Sequence, residues 1–294
     1  MAVHYQSHNA ALYVGDCVKV MSSLPDESVD GIVTSPPYAM QRKASYGGVP
    51  EKDYPEWTVR WMSEARRVLK QDGSAIINIR PHIRNGVISD YVLRTRLALR
   101  EDGWAELEEL IWHKKGGAPL GSAKRPRRSY EQMHWFGKHG KAYADPKAAG
   151  PLTVHVGLTP GSRGRGEYVG SAQRNANVRP PEPVRARVSD VAVFSTRLNE
   201  KSNGLNDHPA PYPWQLAEWC GKLIIPDGGT ILDPFSGSAS TGVAALRNGW
   251  NYIGIDSSEE YVSMSARRLE AAQLDGKENN GEEAPRATVR TPRT

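Results

Sequence analysis

Gly31-Ile32-Val33-Thr34-Ser35-Pro36-Pro37-Tyr38 carries a short apolar run into two consecutive prolines. The run Gly31-Ile32-Val33 reads as a buried strand. A proline has no N–H to donate, so a sheet does not continue through the pair. The residue ahead of a proline is also held extended. The chain therefore leaves the strand as a stiff elbow that offers the Ser35 hydroxyl, the Pro36 carbonyl and the Tyr38 ring. A planar base with an exocyclic amino group could use all three. It would donate one hydrogen to Ser35 and one to the Pro36 carbonyl, and stack on Tyr38. Taken alone, a plain Pro-Pro turn explains the stretch equally well.

A second stretch, far down the chain, tips the balance. Asp233-Pro234-Phe235-Ser236-Gly237-Ser238-Ala239-Ser240-Thr241 follows the apolar run Gly229-Thr230-Ile231-Leu232 and precedes the helical pattern Val243-Ala244-Ala245-Leu246. Strand, small-residue loop, then helix is the layout of a nucleotide-cofactor site. Together the two stretches resemble the amino-group DNA methyltransferases that use S-adenosylmethionine. Their motifs are a (D/N/S)PP(Y/F) elbow and a DPFxGSGTT-like loop. The elbow comes first here and the loop last, an order similar to that of the β group. A Ser-Pro-Pro-Tyr elbow leans toward methylation at the N4 amino group of cytosine, and less often toward adenine.

Length and charge fit this. The chain has 294 residues, enough for one large domain or a domain with an insert. No run of about 18 apolar residues exists, so no membrane span is expected. The N-terminus lacks a signal-peptide pattern, which points to the cytoplasm. Cys17 and Cys220 have no metal-like spacing and read as reduced packing residues; no metal site is expected. The net charge is only +5, yet Lys114 to Leu205 holds 17 Lys/Arg against 6 Asp/Glu. Such a segment suits a polyanion.

In chain order, Ala11-Leu12-Tyr13-Val14 reads as a strand. Asp16 then stands at a strand's carboxyl end, where α/β sheets place ligand contacts. The resemblance gives it the cofactor's adenine amino group; capping the helix that follows is equally compatible. Residues 39–54, with Arg42 and Lys43, read as a mobile loop next to target base or phosphate. Pro55 to Lys70 is a helix closed by Asp72-Gly73. Ser74 to Ile79 is a strand, Pro81 to Asn85 a loop and Val87 to Arg100 a helix. Glu106 to Lys114 and Tyr130 to Phe136 are strands. Trp112 reads as core, although the resemblance of Ile111-Trp112-His113-Lys114 to a family motif would also let it wall the target-base pocket. Lys114 and the basic run Lys124, Arg125, Arg127 and Arg128 are assigned to DNA phosphates.

From Lys138 to Ser189 the periodicity dissolves into Gly, Pro and Arg, including Arg163 and Arg165. Arg, Asn and Gln can read base edges, and in the family this insert is the target-recognition region. Asp190 to Phe194 is a further strand. His208-Pro209-Ala210-Pro211-Tyr212-Pro213 resembles the HPxxFP segment beside the cofactor, and the helix Trp214 to Leu223 follows. In the cofactor loop, Asp233 is assigned to the methionine ammonium, by carboxylate or backbone, and Phe235 to packing on the cofactor. Gly237 allows close approach, and Ser238 to Thr241 cap the next helix. Ala239 departs from the family, where Gly is usual, which matters if the position needs a positive φ. Asp256, ending the strand Asn251 to Asp256, suits the ribose hydroxyls. Ser257 caps a last helix through Leu274.

The expected fold is α/β: a Rossmann-like, doubly wound, mostly parallel methyltransferase sheet with an antiparallel edge hairpin and an inserted target-recognition region. Residues 1–139 form the catalytic half, 140–189 the insert, 190–275 the cofactor half and 276–294 a disordered tail. The resemblance implies a DNA (cytosine-N4) methyltransferase with Ser35, Pro36, Pro37 and Tyr38 as catalytic residues. It implies Asp16, His208, Asp233, Phe235, Gly237, Ser238 and Asp256 as cofactor contacts. The base is flipped out and takes the methyl group by direct displacement, with no enzyme thiol involved. Duplex DNA is the partner; a homodimer and a separate cognate restriction nuclease, in a bacterial or phage setting, fit as well. Adenine N6 methylation and an inert DNA-binding protein on the same scaffold are the alternatives.

Overall fold

The computed structural model describes residues 3–40, 48–116, 124–153, 184–195 and 212–278. Arg42, Lys43, Arg163, Arg165 and His208, with most of the insert and the tail, lie outside these residues. The described residues build one nine-stranded sheet, in the order β1-β2-β13-β12-β3-β4-β8-β7-β11. Its strands are β1 (Tyr5–Gln6), β2 (Ala10–Val14), β3 (Val29–Thr34), β4 (Leu69–Ile79), β7 (Ala105–Lys115), β8 (Tyr130–Gly137), β11 (Val191–Ser195), β12 (Thr230–Asp233) and β13 (Asn251–Asp256). The run from β2 through β4 is parallel. β8 is antiparallel to both β4 and β7. The expected antiparallel hairpin is present but is not the outermost element, because β11 adds parallel to β7 beyond it.

Neighbouring residues of each central strand face opposite cores. Ile32, Ile77 and Leu232 point to one core and Val33, Ile76 and Ile231 to the other. The first core is closed by α1 (Cys17–Met21), α2 (Tyr54–Val68) and α3 (Tyr91–Glu101). The second is closed by α4 (Trp214–Ile224), α5 (Ser240–Arg247) and α6 (Glu259–Glu278). A parallel sheet buried on both faces needs apolar residues at consecutive positions, as the run through β3 supplies.

Three local expectations change. Helix α2 stops at Val68, because Leu69 turns extended and Lys70 reaches back to Asp30 (Nζ to Oδ1, 2.7 Å). Gly73 then sits inside β4, where a Cβ would stand 2.9 Å from the Asp30 carbonyl oxygen. Residues 83–88, divided between a loop and a helix in the sequence reading, form a hairpin of β5 (Ile83–Arg84) and β6 (Val87–Ile88). Asn85 (φ 49) and Gly86 (φ 77) make its turn, the pair that two-residue hairpins favour. Ser258, not Ser257, opens the last helix, accepting from the Tyr261 N–H. Between β9 (Leu152–Thr153) and β10 (Val184–Arg185), which pair with each other, lie the residues 154–183.

Candidate active site

β3 and β12 are hydrogen-bonded neighbours, with Ile32 opposite Leu232. From β12 the chain crosses to β13 on one side, and from β3 it crosses to β4 on the other. The carboxyl ends of β3 and β12 therefore flank the place where the winding reverses, where open α/β sheets form their crevice. Thr34 donates to Asp233 Oδ1 across this point at 2.6 Å. The Thr241 hydroxyl lies 2.9 Å from Asp233 Oδ2, to which it donates, and 3.2 Å from the Val33 carbonyl oxygen. The proline elbow and the small-residue loop thus stand side by side.

In the elbow, the Tyr54 hydroxyl donates to the Pro37 carbonyl at 2.9 Å. No described residue donates to the Pro36 carbonyl. Ser35 is half-buried, and Asn78 Nδ2 lies 3.5 Å from its Oγ. The Tyr38 hydroxyl donates to Glu131 Oε2 at 2.8 Å, and Asn78 donates to the same oxygen at 2.8 Å. Burial, with Glu131 beside it, pushes the Tyr38 phenol well above its usual range. The ring is tethered by its hydroxyl, and the residue as a whole is half-buried against the first core.

Lys114, expected at phosphate, is engaged inside this cluster. Its ammonium donates to Glu131 Oε1 at 2.5 Å and lies 4.6 Å from the centroid of the Trp112 ring. Burial alone would raise the Glu131 carboxyl. Lys114 and the Asn78 and Tyr38 hydrogen bonds outweigh it, and the group is held below its ordinary value. A buried charge needs such a partner. Trp112 is core, and its indole donates to the Phe194 carbonyl at 3.1 Å.

In the loop, the Asp233 carboxylate accepts from Thr34, Thr241, the Phe235 N–H and Tyr212. Burial still raises it to about 6. With both oxygens engaged by the protein, only its backbone is left for an incoming ammonium. Asp256 is buried, and its oxygens accept from Gly237 N and Ser258 N at 2.9 Å each, which ties the loop to the end of β13. Ser238 also changes role: its carbonyl and hydroxyl accept from Arg268. The expected side-chain cap on α5 is absent; Ala239 occupies that position in the left-handed region, at φ 54 and ψ 42.

Phe235 packs edge-on against Trp61, with centroids 5.2 Å apart, and against Trp57, and is otherwise half-buried. Asp16 caps α1 through Oδ1 (3.0 Å to Lys19 N) and is exposed, which leaves Oδ2 for a ligand. Gly15 N donates to the Asp256 carbonyl. Asp16, Asp256, Gly237, Asp233 and Ser35 therefore follow one another along the carboxyl edge of the sheet.

Of the basic run, Lys124, Arg125 and Arg127 are exposed. The Arg125 guanidinium donates to the Gly86 carbonyl at the hairpin tip. Arg128 is half-buried beside Arg80, and burial with that like charge lowers its pKa. Sequence reasoning missed Asn78, Glu131, Arg268 and Tyr54. An Asn inside an apolar strand was the only local hint of any of them.

The Ser35 hydroxyl and the Pro36 carbonyl stand on this edge next to the small-residue loop, two acceptors that a planar amino-bearing group could use. A family model described as DNA methylase matches residues 29–267. The type II methyltransferase M.PvuII of Proteus hauseri is 27% identical over 285 residues, 90% of this chain and 85% of the relative. M.Cfr9I of Citrobacter freundii is 28% identical over 300 residues, covering 90% and 88%. Among solved structures, the PvuII DNA methyltransferase (cytosine-N4-specific) superimposes with a TM-score of 0.68 at 23% identity, covering 95% and 96%. The M1.HpyAVI–SAM complex gives 0.57 at 20% identity, covering 88% and 98%. These structural likenesses speak for the fold.

Proposed function

This chain belongs to the N6/N4 DNA methylase family, and on that premise we propose that it methylates the exocyclic N4 of cytosine at specific sites in duplex DNA, using S-adenosylmethionine. The observation that carries the reading is the 2.6 Å contact from Thr34 to Asp233, which fixes the elbow beside the loop. Cytosine, rather than adenine, is supported by the Ser-Pro-Pro-Tyr elbow and by the stated specificity of the PvuII enzyme. The type II relatives support a place in a restriction–modification pair whose nuclease is a separate protein. Among the described residues, no helix is long and apolar enough to cross a membrane.

When bound, S-adenosylmethionine supplies a methyl group already activated on a positive sulfur. The residues present suit it. Asp16 Oδ2 would accept from the adenine amino group. Phe235 would offer its open surface, and the backbone at Asp233 would receive the ammonium. The amino nitrogen of cytosine is a poor nucleophile because its lone pair feeds the ring. Ser35 and the Pro36 carbonyl would accept its two hydrogens, favouring a pyramidal nitrogen and stabilising the charge that grows there. Tyr38 would hold the extruded ring by stacking. Held there, N4 would receive the methyl group that the cofactor supplies, and one N4 proton would leave toward Ser35 or water. No thiol takes part: Cys17 and Cys220 are buried, and burial, with Asp16 adding to it, pushes Cys17 up to about 12.

The test is methylation of a random-sequence duplex library with labelled S-adenosylmethionine, followed by nucleoside analysis and sequencing of the marked sites. N4-methylcytosine is expected. N6-methyladenine would move the reading to adenine. No incorporation, with no cofactor binding by calorimetry, would leave an inert DNA-binding protein. Ser35→Ala should lower turnover by about 10²–10³-fold while cofactor affinity holds, as when one donor or acceptor of a reacting group is removed.

A further inference from the structure

The β5–β6 hairpin is a two-stranded sheet of its own, and its apolar side chains are exposed. Val87 is 68% exposed, Ile88 59% and Ile83 37%. Ile83 faces Ile88 and Arg84 faces Val87 across the strands, so neither face of the ribbon is packed away. An isolated two-stranded ribbon is marginal in water, and this one is held by its surroundings. Glu51 accepts from Ser89 at 2.5 Å, pairs with His82 at 2.7 Å and reaches Arg84 at 3.7 Å. Arg125 grips the turn at the Gly86 carbonyl.

The base of the ribbon is wired to the elbow. Tyr91 donates to the Arg80 carbonyl at 2.8 Å and packs edge-on against Tyr54, and Tyr54 donates to the Pro37 carbonyl. Arg84 lies on the ribbon, Arg80 stands just ahead of it with Arg128 beside it, and Arg125 reaches its turn. Residues 80–89 and 124–129 contain no Asp or Glu. Exposed aliphatics framed by cations and braced against a reaction site are poorly suited to water and well suited to a polyanion with an apolar interior. Stacked bases behind phosphates have that chemistry.

We infer that the β5–β6 tip is a wedge that enters duplex DNA, with Val87 and Ile88 lodging against the base stack beside the extruded cytosine and the flanking arginines gripping phosphates. The inference rests on the proposed methyltransferase reading and adds to it the element that holds the helix open. Its energy source is the burial of aliphatic surface that otherwise stays wet, set against the cost of unstacking one base step.

The test uses the full-length protein and a duplex carrying the site found by library methylation, in two forms. One has a normally paired target; the other has an abasic position opposite the target, so that the base is already unpaired. The double variant Val87→Ser/Ile88→Ser should lose about tenfold or more in methylation rate on the paired duplex. It should return to near the wild-type rate on the abasic duplex, with an unchanged unfolding temperature. Val87→Leu/Ile88→Leu, which stays apolar, should keep the wild-type rate on both. Equal loss on both duplexes, no loss on either, or a shift in oligomeric state without rescue would overturn the wedge. A wild type that methylates neither duplex would overturn the methyltransferase reading, and the wedge with it.

Discussion

Ala239 is held with φ 54 and ψ 42, where a Cβ crowds its own backbone at a cost of about 1–2 kcal/mol. Gly is free of that cost but loses more chain entropy on folding, by about 0.5–1 kcal/mol. Ala239→Gly should therefore stabilise the protein by about 0.5–1 kcal/mol, read as a higher urea midpoint at constant slope; a lower midpoint would mean that the buried methyl group matters more than the strain. This position was visible in the sequence, as the one departure from the loop's usual Gly. Glu131 was not, because its partners Lys114, Asn78 and Tyr38 reach it from three other segments, and cross-sheet pairing leaves no local periodicity. Glu131→Gln leaves the half-buried Lys114 ammonium without its partner and should destabilise the fold; Lys114→Met strands the buried carboxylate and should cost about 3–5 kcal/mol. The double variant should be markedly more stable than the sum of the two losses predicts. Additive losses in a denaturation cycle would show that the pair is not coupled.

Helix α6 acts at the next scale up, as a clamp over the cofactor loop. Ser265 donates to the Gly237 carbonyl at 2.7 Å, and Arg268 donates to the Ser238 carbonyl at 2.7 Å and lies 3.2 Å from the Ser240 hydroxyl. Burial lowers the Arg268 pKa to about 10, so it remains a cation at neutral pH. Arg268→Met keeps the apolar stem and removes the donors. A hydrogen bond from a charged group contributes about 1.5–3 kcal/mol. The variant should bind S-adenosylmethionine about tenfold more weakly by calorimetry, while the elbow, on another strand, keeps its shape. Unchanged affinity would free the loop from α6. The helix itself was read in the sequence, from a cap at Ser257 through Leu274, but its grip on the loop was not, since a local pattern does not say which polar group lies beneath the helix. The β5–β6 hairpin shows the opposite failure. The Asn85-Gly86 turn signal was present in the sequence, yet the apolar residues after it were read as the start of a helix that begins at Tyr91.

Across the whole molecule, the alternation of strands and helices was enough to read a parallel sheet covered on both faces, and the two motifs were enough to choose its reversal point. Strand β11 was read as a strand, but its place beyond the hairpin was beyond reach, because an edge pairing depends on a partner distant in sequence. So was His134, which lies on β8 beneath the elbow, in a small cavity shared with Pro36, Thr58, Thr95 and Arg96. Neither of its ring nitrogens has a hydrogen-bond partner. Burial first, and then Arg96, lower its pKa to about 4, against a smaller opposing pull from Glu109; Glu106 lies 3.8 Å away. The folded protein refuses a proton that the unfolded chain binds below about pH 6.5. Stability contributed by neutral His134 is therefore present above that pH and is lost as pH falls toward 4. Asp233, raised to about 6 by burial, runs the other way: it keeps a proton that the unfolded chain releases above its ordinary 3.8, so its contribution is present at low pH and fades as pH rises to 6. The two oppose each other between pH 4 and 6, which blunts the acid response. His134→Phe removes one of them, fills the cavity with carbon and leaves no orphaned nitrogen. Calorimetric unfolding should show the variant losing less stability than the wild type between pH 7 and 5, or even gaining, since Asp233 then acts unopposed. An identical loss in both proteins would place the acid sensitivity elsewhere in the fold.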